Sequence, residues 1–193
     1  MLSTNSKQLD RALKEWAVAV EALEAGETIM LLRKGGIRET GKNFSIQHTQ
    51  VWLYPTYEHQ KPDLLKPEYA DKVTVVESGW HPQNVRIGSL ANITQILPLQ
   101  NPDRVNLLQP YHIWNEQMIS DRLKWKPHQP LSILLLRVYK LDRPILIPYH
   151  SSYGGCKSWI DLQKSIALEG LEPVLADDVY SEKVKQIIDL ITV

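Results

Sequence analysis

The chain has 193 residues, 43% hydrophobic and 23% charged, and its 22 Lys+Arg balance its 22 Asp+Glu. That is ordinary for a soluble globular protein with enough chain for one core, and it excludes an overall field that would drive binding to nucleic acid or membrane. A single cysteine excludes an internal disulfide and points to a reducing, cytoplasmic setting. The aliphatic run Ile133–Leu136 is too short to span a bilayer, and the N-terminus Met1–Lys7 has no apolar signal core.

Leu9, Leu13, Trp16, Val20 and Leu23 recur at helical spacing and predict one helix ended by Gly26. Thr28–Arg33 reads as a buried strand, and Gly35-Gly36 as a sharp turn. Phe44, Ile46 and His48 alternate with polar residues, as in a half-buried strand, and Val51–Tyr54 is a further strand that stops at Pro55. Pro62–Pro67 is a loop or one helical turn. Val73–Glu77, Val85–Ile87 and Ile93–Leu97 read as strands, with Gly88-Ser89 as a break between the last two.

Asn101–Pro110 carries loop signals, and Tyr111–Trp125 is a helix with Ile113, Met118 and Leu123 inside. Leu131–Leu141 is the strongest strand, followed by the short Ile145–Ile147 between Pro144 and Pro148. Ser158–Ala167 and Glu182–Ile191 read as helices. Unevenly interleaved strands and helices predict an α+β fold, here a single domain over residues 1–193 with 168–193 as a helical C-terminal extension. Charge is uneven along the chain: Arg122–Arg143 holds six cations against Asp142, whereas Glu169–Asp189 holds six acids against two lysines.

Candidate chemistry concentrates between Leu31 and Gln60. Arg33-Lys34-Gly35-Gly36-Ile37-Arg38 sets cations around a glycine pair, whose amides can cradle a phosphate; a solvated hairpin tip is the plainer reading. The loop is not of the GxxxxGK(S/T) type. Tyr54-Pro55-Thr56-Tyr57-Glu58-His59-Gln60 packs hydrogen-bonding side chains closely. There Glu58 or His59 can exchange protons and Tyr57 can stack on a base, or the segment is simply a capped turn. Glu39 and Glu58 with His48 or His59 offer metal-type ligands, but no spacing is diagnostic, so no metal and no cofactor is assigned.

Tyr153-Gly154-Gly155-Cys156-Lys157-Ser158-Trp159 is read as the opening of a helix. Cys156 is then either a thiol activated by the helix dipole and Lys157 or a small buried residue among glycines. Lys157 and Trp159 suit nucleic acid if they face the same way as the Arg33–Arg38 loop, although Trp159 also reads as plain core.

LLRKGGIRE, followed by F-x-I-x-H, LYPTYEHQ and, near the end, GGCKSWIDL, resembles an uncharacterised prokaryotic family, domain of unknown function 1802. The likeness runs over most of the chain and implies no activity. A looser, architectural likeness is to ASCH domains of the PUA-like superfamily: a helix, Ala25-Gly26-Glu27-Thr28, then a strand closed by Arg33, with Trp159 after the later strands. The glycine-lysine pair usual there is Gly26-Glu27 here. That resemblance implies a small mixed β-barrel or curved sheet with flanking helices, of a kind that binds RNA or nucleotides.

The leading expectation is an RNA-binding module. Lys34 and Arg38 hold phosphates, Tyr57 or Trp159 stacks, Glu58 with His59 reads polar edges, and Arg33 and Lys157 belong to the same nucleic-acid-binding set. A hydrolase, even a metal-dependent nuclease, centred on Glu39, Glu58 and His59 is the alternative, and a protein-interaction module the second. The Nudix box is absent, and Glu39-Thr40-Gly41-Lys42 misses the E-x-K spacing of a metal nuclease. The sequence leaves oligomeric state open.

Overall fold

The computed structural model of the protein describes residues 7–34 and 49–192. The elements run β1 (Gln8–Trp16), α1 (Ala17–Glu24), β2 (Met30–Arg33), β3 (Gln50–Thr56), α2 (Pro67–Ala70), β4 (Asn84–Leu99), α3 (Pro102–Leu107), α4 (Glu116–Lys124), β5 (Leu131–Pro148), β6 (Trp159–Ala167), β7 (Leu171–Pro173) and α5 (Asp177–Thr192), with short 3₁₀ turns between. The fold is α+β, as expected. The strands form one open, mixed sheet in the order β2-β5-β4-β3-β1-β6, with β7 paired to β5. Among the described strands only β1 and β3 run parallel, with Trp16 opposite Thr56.

Several expected elements are corrected. The first half of the predicted N-terminal helix is β1, a strand between β3 and β6. Its Leu13 and Ala12 enter different buried clusters, one on each face of the sheet. A strand buried on both faces loses the period-two pattern that would identify it. The predicted helix Ser158–Ala167 is β6, with Ile160, Leu162 and Ile166 buried along one side. Its alternation is that of an edge strand. Cys156 therefore opens no helix, and it is exposed rather than packed.

Val73–Glu77 is not a strand: Val75 is solvent-exposed and the segment pairs with none of the described strands. The loop expected over Asn101–Pro110 contains α3, capped by the Asn101 side chain, which accepts from the amides of Asp103 and Arg104. The two strands expected around Gly88-Ser89 are one, β4, bent by irregularities between Ile87 and Ser89 and between Ile93 and Gln95. The turn Gly35-Gly36 and the strand Phe44–His48 lie outside the described residues.

Helices α1, α3, α4 and α5 cover one face, where Leu23, Val105, Met118 and Ile187 meet Leu31, Leu53, Ile93 and Leu134. On the other face, the sheet curls over its own cluster of Trp52, Tyr54, Ile87, Leu90 and Ile160, closed by Tyr153 from the loop before β6. The ends of the strand order approach each other through a side chain. Arg33 of β2 donates to the carbonyl of Lys14 in β1 at 2.8 Å and to Ser158 Oγ, just before β6, at 3.2 Å. Among the described residues the structure is thus a curved sheet bridged by Arg33, without a closing ladder.

Candidate nucleic-acid interface

Strand directions decide which loops meet. β1 and β3 end together. β4 begins opposite the end of β5, with Asn84 beside Pro148, and β6 begins beside the last residues of β1, with Trp159 opposite Leu13. Tyr57–Gln60, Trp80–Gln83 and Tyr149–Ser158 therefore share one end of the sheet.

Contacts between these loops confirm it. Glu58 Oε1 accepts the amide of Gly79 at 2.5 Å, tying the turn after β3 to the loop before β4. The Tyr57 ring stands edge-on to Trp80, 5.7 Å between centroids. His81 lies flat on Tyr149 at 3.4 Å and 8°. Tyr149 meets Tyr153 edge-on at 6.2 Å, and Tyr153 meets Tyr54 at 5.6 Å. The series Tyr54, Tyr153, Tyr149 and His81 runs from the interior to the surface, and Trp80, next to His81 in the chain, is 45% exposed. Burial, then the neighbouring Tyr149 and Tyr153, pushes the Tyr54 phenol well above its ordinary value. Tyr54 thus stays a neutral wall of the cluster.

Lys14 holds the last loop. Its buried ammonium donates to the carbonyls of Tyr153 and Gly155, each at 2.8 Å. Burial pulls its pKa down, and the carboxylate of Glu58 works against that pull. Gly154 fits here because a Cβ would come within 2.9 Å of the Tyr149 hydroxyl. Lys157 reaches back to the Ser152 carbonyl at 3.2 Å and remains exposed. His150 Nδ1 pairs with Ser152 Oγ at 2.8 Å.

Of the residues singled out in the sequence, Tyr57, Glu58, His59 and Lys157 share this end. His59 is exposed and adopts a left-handed φ of 62°, a conformation histidine tolerates in turns. The Glu58 carboxylate is engaged by the Gly79 amide. Trp159 is half-buried against the main core. Arg33 pairs with Glu15 at 2.8 Å. Lys34 Nζ donates to the Leu123 carbonyl in the last turn of α4 at 2.8 Å, and burial lowers its pKa. Arg38 and Glu39 lie outside the described residues. Among the described residues, no group of three or more His, Cys, Asp or Glu is arranged to hold a metal ion.

Sequence reasoning missed Lys14, Trp80, His81 and Tyr149. A signal for three of them exists: Trp80-His81-Pro82 and Pro148-Tyr149-His150 are two aromatic–histidine pairs beside prolines at strand ends. Lys14 has none, because it sits inside a run that reads as a helix. No helix among the described residues is long and apolar enough to cross a membrane.

The model of a family described as "Domain of unknown function (DUF1802)" matches residues 12–186. No curated protein matches the sequence. Among solved structures, the chain is similar to ASCH from Zymomonas mobilis, at 13% identity over 91% of this chain and 93% of that one, with a TM-score of 0.47. A mutant of that protein aligns at 12% identity over 91% and 96%, with a TM-score of 0.44.

Proposed function

The chain belongs to the family described as Domain of unknown function (DUF1802), and we propose that it is a nucleic-acid-binding module for single-stranded RNA. The observation that carries this reading is the aromatic end of the sheet: Trp80 edge-on to Tyr57, and His81 stacked on Tyr149. Exposed rings held by fixed neighbours suit unpaired bases, which stack on aromatic faces without strict sequence preference. Lys157, exposed beside them, supplies a cation for the phosphate backbone. Glu58 orders the turn through Gly79, and His59 offers ring nitrogens to base edges. A protein with one cysteine suits the reducing cytoplasm.

The test is binding of a fluorescent RNA oligonucleotide across a salt series. Affinity falls as salt rises, because phosphate contacts release counterions. Trp80→Ala weakens binding by about 1–3 kcal/mol, the worth of one base–aromatic stack. Lys157→Ala weakens it evenly across sequences and lowers the salt slope by about one. Undetectable binding at low salt, or a Trp80→Ala protein that binds as the wild type does, overturns the reading.

A further inference from the structure

A cavity of about 520 Å³ lies between the end of β5 and β6, within the size range of small-molecule sites. It stands where the curled sheet is left open: β6 is last in the strand order, and from Ile145 onwards the described strand paired with β5 is β4 alone. Neither edge invites a further strand. The Tyr149 amide bonds to the Gln83 carbonyl at 2.8 Å, so the alternate residue Pro148 turns its backbone to the open side, where proline has no N–H to offer. On β6 the Gln163 amide already donates to the Tyr153 hydroxyl at 2.9 Å.

The walls follow from an irregularity in the sheet. In β6, Asp161 stands opposite Arg11 and Ile166 opposite Leu9, so residues 162–165 stand against Asp10 alone. Such a bulge re-aims side chains, and Leu162, Gln163, Lys164 and Ser165 all line the cavity. The facing wall is apolar: Ile147 is buried, whereas Leu146 is 66% exposed. Tyr149 and Tyr153 line the cavity too, so it shares two rings with the aromatic end, and His81 holds the Tyr149 ring by stacking on it.

We propose that this cavity receives the base of one nucleotide, with Lys164 placed to meet its phosphate. The flat apolar faces of a base match Leu146, Ile147 and Leu162, and its polar edge matches the Gln163 carboxamide, which both donates and accepts. An acyl chain would make no use of Gln163, Lys164 and Ser165. The proposal deepens the RNA-binding reading, on which its choice of ligand rests: a strand stacked at the aromatic end turns its next base into the cavity.

The test titrates the full chain with adenosine 5′-monophosphate by calorimetry, beside ribose 5-phosphate and decanoate at matched ionic strength. The nucleotide binds, and ribose 5-phosphate, which lacks the base, binds about tenfold more weakly or worse. Leu146→Trp, a change at an exposed position that fills the cavity, abolishes binding. Lys164→Ala weakens it about tenfold, as loss of a charge-assisted bond requires. No binding of the nucleotide, equal binding of ribose 5-phosphate, tighter binding of decanoate, or an unaffected Leu146→Trp protein overturns the site. RNA binding is read on the same proteins. If RNA binds through Trp80 but the nucleotide does not bind, the cavity proposal falls and the RNA reading stands. If the nucleotide binds and Leu146→Trp blocks it while RNA does not bind, the RNA reading falls and the site stands as one for free nucleotide.

Discussion

His112 is 2% exposed, and its ring nitrogens make no hydrogen bond of good geometry to a described residue. Burial first, and the nearby Lys66 ammonium second, push its pKa down to about 4. The folded protein therefore keeps His112 neutral where the unfolded chain, near about 6.5, takes up a proton. The stability this gives is complete above the unfolded value and is lost as pH falls from about 6.5 towards about 4. The full loss is on the order of 3 kcal/mol. Urea unfolding across that range should show wild type losing stability faster than His112→Leu; parallel profiles would remove His112 as the cause. Lys14 poses the opposite problem, a charge kept inside by two carbonyls. Lys14→Met leaves those acceptors short of a donor and should cost about 1–3 kcal/mol. The damage is local, so amide exchange over residues 151–157 should speed up before the rest of the sheet responds.

At the scale of the element, the clearest agreement between sequence and structure is the end of α1. The Gly26 amide bonds to the Leu23 carbonyl at 3.1 Å and the Glu27 amide to that of Ala22 at 3.0 Å, the paired bonds that close a helix through a left-handed residue. Gly26 has φ of 71°, and a Cβ there would come within 2.8 Å of Leu175 Cδ2. Gly26→Ala should lower stability by at least roughly 1–2 kcal/mol, the cost of the left-handed conformation alone, and the midpoint of thermal unfolding checks it. Gly26 was legible because it punctuates locally. The start of the same segment was not, because β1 is defined by partners far along the chain at Trp52 and Ile160. In β6 the alternation of Ile160, Leu162 and Ile166 was visible, but the spacing of Trp159, Leu162 and Ile166 also fits a helix, and only pairing with β1 decides between them. The site divides the same way. Tyr57, Glu58 and His59 announce themselves as a polar cluster, whereas Trp80, His81 and Tyr149 become neighbours only once β4 and β5 are paired.

For the molecule as a whole, the decisive question is whether residues 168–193 are an addition to the fold or part of its core. β7 pairs with β5 through Tyr139–Pro173 and Leu141–Leu171. Tyr180, Ile187 and Ile191 of α5 belong to the same buried cluster as Leu134 and Ile93. Polar contacts fix the helix as well: Arg137 pairs with Asp177 at 2.6 Å and lies 4.9 Å from the Tyr180 ring. The Tyr180 hydroxyl meets Thr94 Oγ1 at 2.5 Å. Ile187 is fully buried, so Ile187→Ala should cost about 2–5 kcal/mol through lost contact and the cavity left behind. A chain ending at Ala176 keeps β7 but loses every contact of α5 at once, and it bares the apolar face that α5 covers. We expect it to unfold without a sharp urea transition, with Ile187→Ala lying between it and wild type. A truncated chain that unfolds cooperatively at the wild-type midpoint would make α5 a true extension, resting on a core complete without it.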